Sequence, residues 1–112
     1  MEVIYHNNQW CWGEESTIIS VDGTSIVSVQ FDNSYPTVAF VKGLSVHHSC
    51  RKNGIGTTLL KLCDNVALEK GMKFIQLKAD KKQDWLIKFY KKNGYSIIYE
   101  DEHEFTMWKQ LY

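Results

Sequence analysis

The sequence predicts a mixed α/β (α+β) domain, built as one mostly antiparallel sheet with helices packed on its faces. Three observations carry this. An apolar strand-like stretch, Thr37 to His47, runs into a loop with two glycines and then at once into a helical pattern, with a second strand-like run from Phe74. A strand–helix–strand crossing of this kind is parallel and right-handed. Asp22-Gly23 separates two alternating apolar runs, a strong short-range hairpin signal. Two segments repeat their apolar residues at helical rather than strand spacing.

Taken in order, Val3 to Tyr5 reads as a short strand, and residues 7 to 16 read as a polar loop holding Trp10 and Trp12. Those two tryptophans either line a ligand site or plug the end of the sheet. Thr17 to Val21 and Thr24 to Phe31 form the hairpin, and Asp32 to Pro36 is a further turn. In the third strand, Thr37 to His47, Gly43 marks a bulge or a close backbone approach. The first helix spans about Ile55 to Lys70, with an apolar stripe of Ile55, Leu59, Leu60, Leu62, Cys63, Val66 and Ala67. Gly71 is placed to end it. Phe74 to Ala79 is a strand, and Asp84 to Lys92 is a short helix that stops near Asn93-Gly94. Tyr95 to Tyr99 and Phe105 to Gln110 are the last strands, divided by the acidic turn Glu100 to Glu104.

All 112 residues make one domain, and 44% hydrophobic content suffices for one two-layer core. The formal net charge is zero, which gives no reason to expect nucleic acid or a membrane surface as partner. There is no apolar run long enough to span a bilayer, and the first residues lack the basic and apolar regions of a signal peptide. Three scattered cysteines, Cys11, Cys50 and Cys63, with no Cys-x-x-Cys pair, point to a reducing cytoplasm. Cys63 falls on the apolar helix face, and Cys50 reads as a free loop thiol. The four histidines have no partners at metal-ligand spacing, so no metal is expected.

The chemistry concentrates between Val46 and Leu60. A strand end, a basic Gly-containing loop and a helix N-terminus present backbone N–H groups to an anion, most naturally a phosphate. Gly54 and Gly56 let the backbone approach a ligand, and Arg51 is the only arginine in the chain. A nucleotide P-loop needs Lys then Ser or Thr after its last glycine, whereas Thr57-Thr58 follow Gly56 here. A dinucleotide fingerprint needs a third glycine where Leu59 stands, although Asp80 does close the next strand-like run. The pattern R/Q-x-x-G-x-G/A is met by Arg51-Lys52-Asn53-Gly54-Ile55-Gly56.

Some thirty residues on stands Asp84-Trp85-Leu86-Ile87-Lys88-Phe89-Tyr90-Lys91-Lys92-Asn93-Gly94-Tyr95. Together with that loop and with Leu44-Ser45-Val46 ahead of it, this run resembles the GCN5-related N-acetyltransferase (GNAT) superfamily over roughly residues 17 to 110. His48 stands where the family usually carries a proline. The resemblance implies the GNAT fold, acetyl-CoA as cosubstrate, and acetyl transfer to a primary amine by direct attack. The acceptor would be a small amine or a protein lysine or N-terminus. A weakly active or inactive CoA-binding or interaction module is the alternative.

The resemblance also implies roles. Arg51, Lys52, Asn53, Gly54, Ile55, Gly56 and Thr57 would hold the pyrophosphate. The backbone around Leu44 and Val46 would pair with the pantetheine arm. Gln83 falls where relatives often carry a cofactor-binding Asn. Tyr90 matches the general acid that donates to the departing sulfur; its other reading is a core aromatic beside Phe89. Relatives often place a base on the strand before the loop, where this chain has Phe40 and Lys42, so no base is named. His47 and His48 read as surface histidines. One or two of Lys81, Lys82, Lys88, Lys91 and Lys92 are candidates for the adenosine phosphate, and Glu100 to Glu104 for attracting a basic acceptor. The family's helices between its first two strands are shortened or missing, which leaves the acceptor side open, or closed by a second subunit in a homodimer.

Overall fold

Asp22 and Gly23 both adopt positive φ, 53° and 67°, the geometry of the primed turns whose twist matches paired strands. In the computed structural model, which describes residues 1–9, 14–46 and 54–112, this turn joins β2 (Glu14–Val21) to β3 (Ser25–Asp32). The other elements are β1 (Val3–Gln9), β4 (Val38–Ser45), α1 (Ile55–Glu69), β5 (Phe74–Asp80), α2 (Asp84–Lys92), β6 (Ser96–Glu100) and β7 (Glu104–Gln110). Seven strands form one sheet in the order β1-β2-β3-β4-β5-β7-β6. Among the described strand pairs only β4 and β5 run parallel, across the crossing that α1 makes. The predicted order of elements and the mixed sheet are both present.

The N-terminal reading needs correction. Residues 7 to 9 and 14 to 16 are strand, not loop: β1 pairs with β2 from Val3↔Val21 to Gln9↔Glu15. β1 is the outer strand of the sheet and almost wholly exposed. Its polar side chains therefore cost no burial, and alternation in hydrophobicity, the signal for a strand, is absent. Thr17 still donates its hydroxyl to Asn7 Oδ1 at 2.8 Å. Trp10 and Trp12 lie outside the described residues.

Both helices pack on the same face of the sheet. Register places Ile19 opposite Val27, Val29 opposite Val41 and Phe31 opposite Ala39. Ala39 neighbours Ile75, and Leu77 lies opposite Met107. These side chains are buried in one cluster with Leu59, Leu60, Cys63 and Ala67 of α1 and Ile87 and Tyr90 of α2. Burying such side chains contributes roughly 1.5–3 kcal/mol each. The other face carries Gln30, Phe40, Gln76 and Trp108 in register, all only half-buried. Phe74 stacks on Trp108 there, with ring centroids 4.5 Å apart.

α1 ends as the sequence reading has it. Gly71 takes φ 76°, its N–H bonds Leu68 O, and the Met72 N–H bonds Ala67 O, a left-handed termination that satisfies last-turn carbonyls.

Candidate active site

A bulge opens the sheet. Gly43 sits at φ 65°, and the β3–β4 register shifts between Ile26↔Ser45 and Ser28↔Lys42. The extra residue bends β4 away from its neighbour. β4 and β5 accordingly pair only over Val38↔Phe74, Ala39↔Ile75 and Phe40↔Gln76, then separate. The separation makes a cleft of about 670 Å³ between the two strands, bounded by α2. Leu44, Gln83 and Tyr90 all line it.

Gln83 is the N-cap residue of α2, and its side chain makes no capping bond. Leu86 and Tyr90 follow at helical spacing on the same side of that helix and also line the cleft. This spacing of three and four residues was a signal available in the sequence for Leu86. Asp80 and Glu104, which also line the cleft, carried no such signal, because it is the β5–β7 register that pairs them.

Tyr90 is 4% exposed and touches two further rings, Phe89 at 5.7 Å and Tyr95 at 5.8 Å between centroids. Burial, with a smaller contribution from Cys63, pushes its phenol up to about 12. The group is therefore a protonated donor at neutral pH. It is a core aromatic and a cleft residue at once, so the two readings of its sequence position do not exclude each other. Burial likewise pushes the Cys63 thiol up to about 12, and the side chain is fully enclosed. A thiol held so far from ionisation is no nucleophile.

The remaining candidates gather at the start of α1. Gly54 is the N-cap at φ 74°, no side chain among the described residues caps the helix, and no acidic residue occupies its first turn. Thr58 N–H bonds Gly54 O at 3.0 Å. A 15-residue helix whose first N–H groups have no side-chain cap among the described residues, and whose first turn holds no carboxylate, favours an anion. A Cβ added at Gly54 would meet nothing within 4 Å. Gly56 is different: a Cβ there would lie 2.9 Å from Phe89 Cζ and 3.5 Å from Val46 Cγ2. Gly56 thus lets α1, the end of the β4 segment and α2 meet. Ile55 and Thr57 are half-buried beside it. Arg51, Lys52 and Asn53, with His47, His48 and Cys50, lie outside the described residues.

Among the lysines proposed for a phosphate, Lys81 is committed elsewhere. It pairs with Glu100 at 2.6 Å and lies over the Phe105 ring. In the acidic turn, Asp101 accepts the N–H groups of His103 and Glu104. Those bonds hold its carboxyl below the usual range. No group of three or more His, Cys, Asp or Glu side chains among the described residues is arranged to hold a metal ion. No helix among them is long and apolar enough to cross a membrane.

The model of the Acetyltransferase (GNAT) family matches residues 3–95. A sequence search of curated proteins finds no match. Solved structures with the same fold include nourseothricin acetyltransferase, 17% identical with a TM-score of 0.78, covering 88% of this chain and 66% of that one. A second is the PaiA N-acetyltransferase from Thermoplasma acidophilum in complex with coenzyme A, 21% identical with a TM-score of 0.74, covering 85% and 59%. A third is a candidate streptothricin acetyltransferase from Bacillus anthracis str. Ames in complex with acetyl coenzyme A, 18% identical with a TM-score of 0.73, covering 87% and 62%. The chain spans under two thirds of the length of these three.

Proposed function

The chain belongs to the Acetyltransferase (GNAT) family, and from that premise we propose that it transfers an acetyl group from acetyl-CoA to a primary amine within a ternary complex. The observation that carries this reading is the β4–β5 cleft, which has the Tyr90 phenol in its wall and Leu44 and Gln83 beside it. Two relatives with the same fold are bound to coenzyme A or acetyl coenzyme A.

In this reading the α1 N-terminus, from Gly54 to Thr57, binds the pyrophosphate with its free N–H groups. Arg51, Lys52 and Asn53 complete that loop. The backbone at Leu44 and Val46 runs along the pantetheine arm, and the Gln83 amide contacts it. The neutral amine attacks the thioester carbonyl. The new C–N bond forms as the C–S bond breaks, the nitrogen gives up a proton, and the sulfur leaves as a thiolate that needs one.

Tyr90 supports that departure. Full transfer from a phenol near 12 to an ordinary thiolate is uphill by roughly 5 kcal/mol. The phenol therefore acts first as a hydrogen-bond donor to the growing charge. Desolvation in the cleft raises the thiolate's own basicity and narrows the gap. An acyl-enzyme on Cys63 is not part of the scheme, because that thiol is enclosed and protonated.

The test is calorimetric titration of acetyl-CoA into the protein, beside Gly54→Asp and Gly54→Asn. Both variants accept the left-handed backbone better than other residues do, and space at Gly54 is open. Micromolar binding lost by Gly54→Asp and largely kept by Gly54→Asn supports a pyrophosphate there. No binding to the folded wild type sinks the reading.

A further inference from the structure

Lys109 of β7 stands in register with Ile75, on the face of the sheet that carries both helices. Its ammonium donates to Asp64 Oδ2 of α1 at 2.6 Å and to Asn93 O at 3.3 Å. It also lies 5.1 Å from the centre of the Tyr95 ring. The stem passes Gly94, where an added Cβ would lie 3.6 Å from Lys109 Cδ. One side chain therefore reaches all three residues of the 93–95 turn that ends α2.

That turn holds Tyr90. The N–H groups of Asn93 and Tyr95 both bond Tyr90 O, at 3.0 and 3.1 Å. The Asn93 side-chain amide donates to Phe89 O at 2.9 Å. The Tyr95 and Tyr90 rings pack with centroids 5.8 Å apart at 57°, and both are buried. A shift of the turn therefore moves the backbone and the ring of Tyr90 together.

Stability gives a weak account of the Asp64–Lys109 pair. Charges withdrawn from water gain little over apolar side chains of the same volume. Asp64 Oδ1 and Tyr95 Oη are also buried without a hydrogen-bond partner among the described residues, a further cost of keeping polar groups there. What apolar packing would not supply is direction. Bonds from one ammonium to Asp64 and to Asn93 O set the distance between α1 and the turn.

We propose that Lys109, held by Asp64, is a positioning residue for the Tyr90 phenol: it fixes the 93–95 turn and, through it, the place of the hydroxyl in the β4–β5 cleft. The role rests on acetyl transfer as proposed above, with Tyr90 as the donor to the departing sulfur. Lys109 itself is not among the residues that line the cleft. A donor displaced by about 1 Å loses its bond to the developing charge, while binding of the substrates is kept. The mark of this role is a fall in kcat with KM and acetyl-CoA affinity unmoved.

The experiment compares the wild type with Lys109→Met, Asp64→Asn/Lys109→Met, Tyr90→Phe and Tyr90→Phe/Lys109→Met. Calorimetry reads acetyl-CoA affinity and urea unfolding reads stability. Thiol release, well below the unfolding transition, reads turnover with whichever of butylamine, spermidine and a lysine-containing peptide the wild type uses fastest. Lys109→Met is expected to lower kcat about tenfold, with KM and acetyl-CoA affinity within about twofold. Asp64→Asn/Lys109→Met should regain stability and not kcat. In the Tyr90→Phe background, Lys109→Met should change kcat by less than about twofold, because the donor it positions is gone. In protein labelled with 3-fluorotyrosine and free of ligand, the fluorine resonance that Tyr90→Phe removes should move in Lys109→Met and stay moved in Asp64→Asn/Lys109→Met. A kcat that returns together with stability, or a Lys109→Met effect as large without the Tyr90 hydroxyl as with it, would overturn the proposal and leave acetyl transfer standing. Undiminished turnover in Tyr90→Phe would overturn it by removing the donor. Thiol release from none of the three amines would overturn the acetyl-transfer reading and the proposal with it.

Discussion

Gly56 of α1 and Phe89 of α2 meet so closely that a methyl group on the glycine would stand 2.9 Å from the ring's Cζ. Phe89 precedes Tyr90, so this contact sets where α2 holds the phenol against the cleft. Gly56→Ala is expected to force the ring aside and to destabilise the fold by about 1–3 kcal/mol. Urea unfolding reads this as a lower midpoint at unchanged slope. Because Phe89 is half-buried, Phe89→Leu in the Gly56→Ala background should recover part of the loss. A double variant no more stable than Gly56→Ala would show that the clash is not what matters.

Tyr90→Phe isolates one oxygen. The ring keeps its packing against Phe89 and Tyr95, so stability and acetyl-CoA affinity should change little. Turnover should fall by about 10²-fold or more if the hydroxyl donates to the leaving sulfur. The same variant decides between an enzyme and a CoA-binding module, because a module has no turnover to lose. Undiminished turnover in Tyr90→Phe would leave Tyr90 as a packing residue alone.

The core carries an alkaline weakness. The Cys63 thiol rises from 9.0 to about 12, and the Tyr90 phenol from 10.0 to about 12. Burial pushes Tyr95 up as well. Each group ionises more readily in the unfolded chain. Stability is therefore intact below the unfolded values and falls as pH climbs from about 9 towards the folded values, by about 1.4 kcal/mol per pH unit for each group engaged. Melting temperatures taken from pH 8 to 11 should decline first through Cys63. Cys63→Ala should lower the starting value and flatten the curve between pH 9 and 10. An unchanged slope in that variant would remove Cys63 as the cause.

Much of the fold was legible because its signals are local. Asp22-Gly23 names its own turn, the α1 stripe names its own face, Gly43 stands at the bulge its position suggested, and Gly71 at the helix end. β1 reads short in the sequence because an outer strand buries almost nothing and so leaves no alternation between Asn7 and Gln9. The lining of the candidate site was legible where the family resemblance pointed to its residues, as with Gln83 and Tyr90, which both line the cleft. It was not legible where register assembles it. Glu104 joins Asp80 at the cleft only because β7 runs antiparallel to β5. Placing both helices on one face likewise needed the pairing of all seven strands.

Asp64 and Lys109 tie α1 to β7 at 2.6 Å, with about a fifth of each side chain exposed. Lys109 also reaches Asn93 O at 3.3 Å and lies over the Tyr95 ring, so one ammonium joins the end of α2 to both elements. Burial raises the Asp64 carboxyl from its ordinary value although Lys109 opposes this, and Asp64 Oδ1 has no hydrogen-bond partner among the described residues. The carboxylate is therefore held ionised largely by its lysine. Lys109→Met would leave a half-buried carboxylate alone, at a cost of about 2–3 kcal/mol at neutral pH, somewhat below a fully buried pair. Without the lysine the folded carboxyl rises further above its unfolded value. The sign follows: the variant should be closest to wild type in acid, where Asp64 is protonated in both states, and should lose ground as pH rises through the carboxylate range. Adding Asp64→Asn removes the stranded charge and should restore a large share of the loss. Urea unfolding of the three variants at pH 4 and pH 7 checks both statements, and a Lys109→Met deficit that does not grow with pH would show that packing of the lysine stem, not its charge, holds α1 to the sheet.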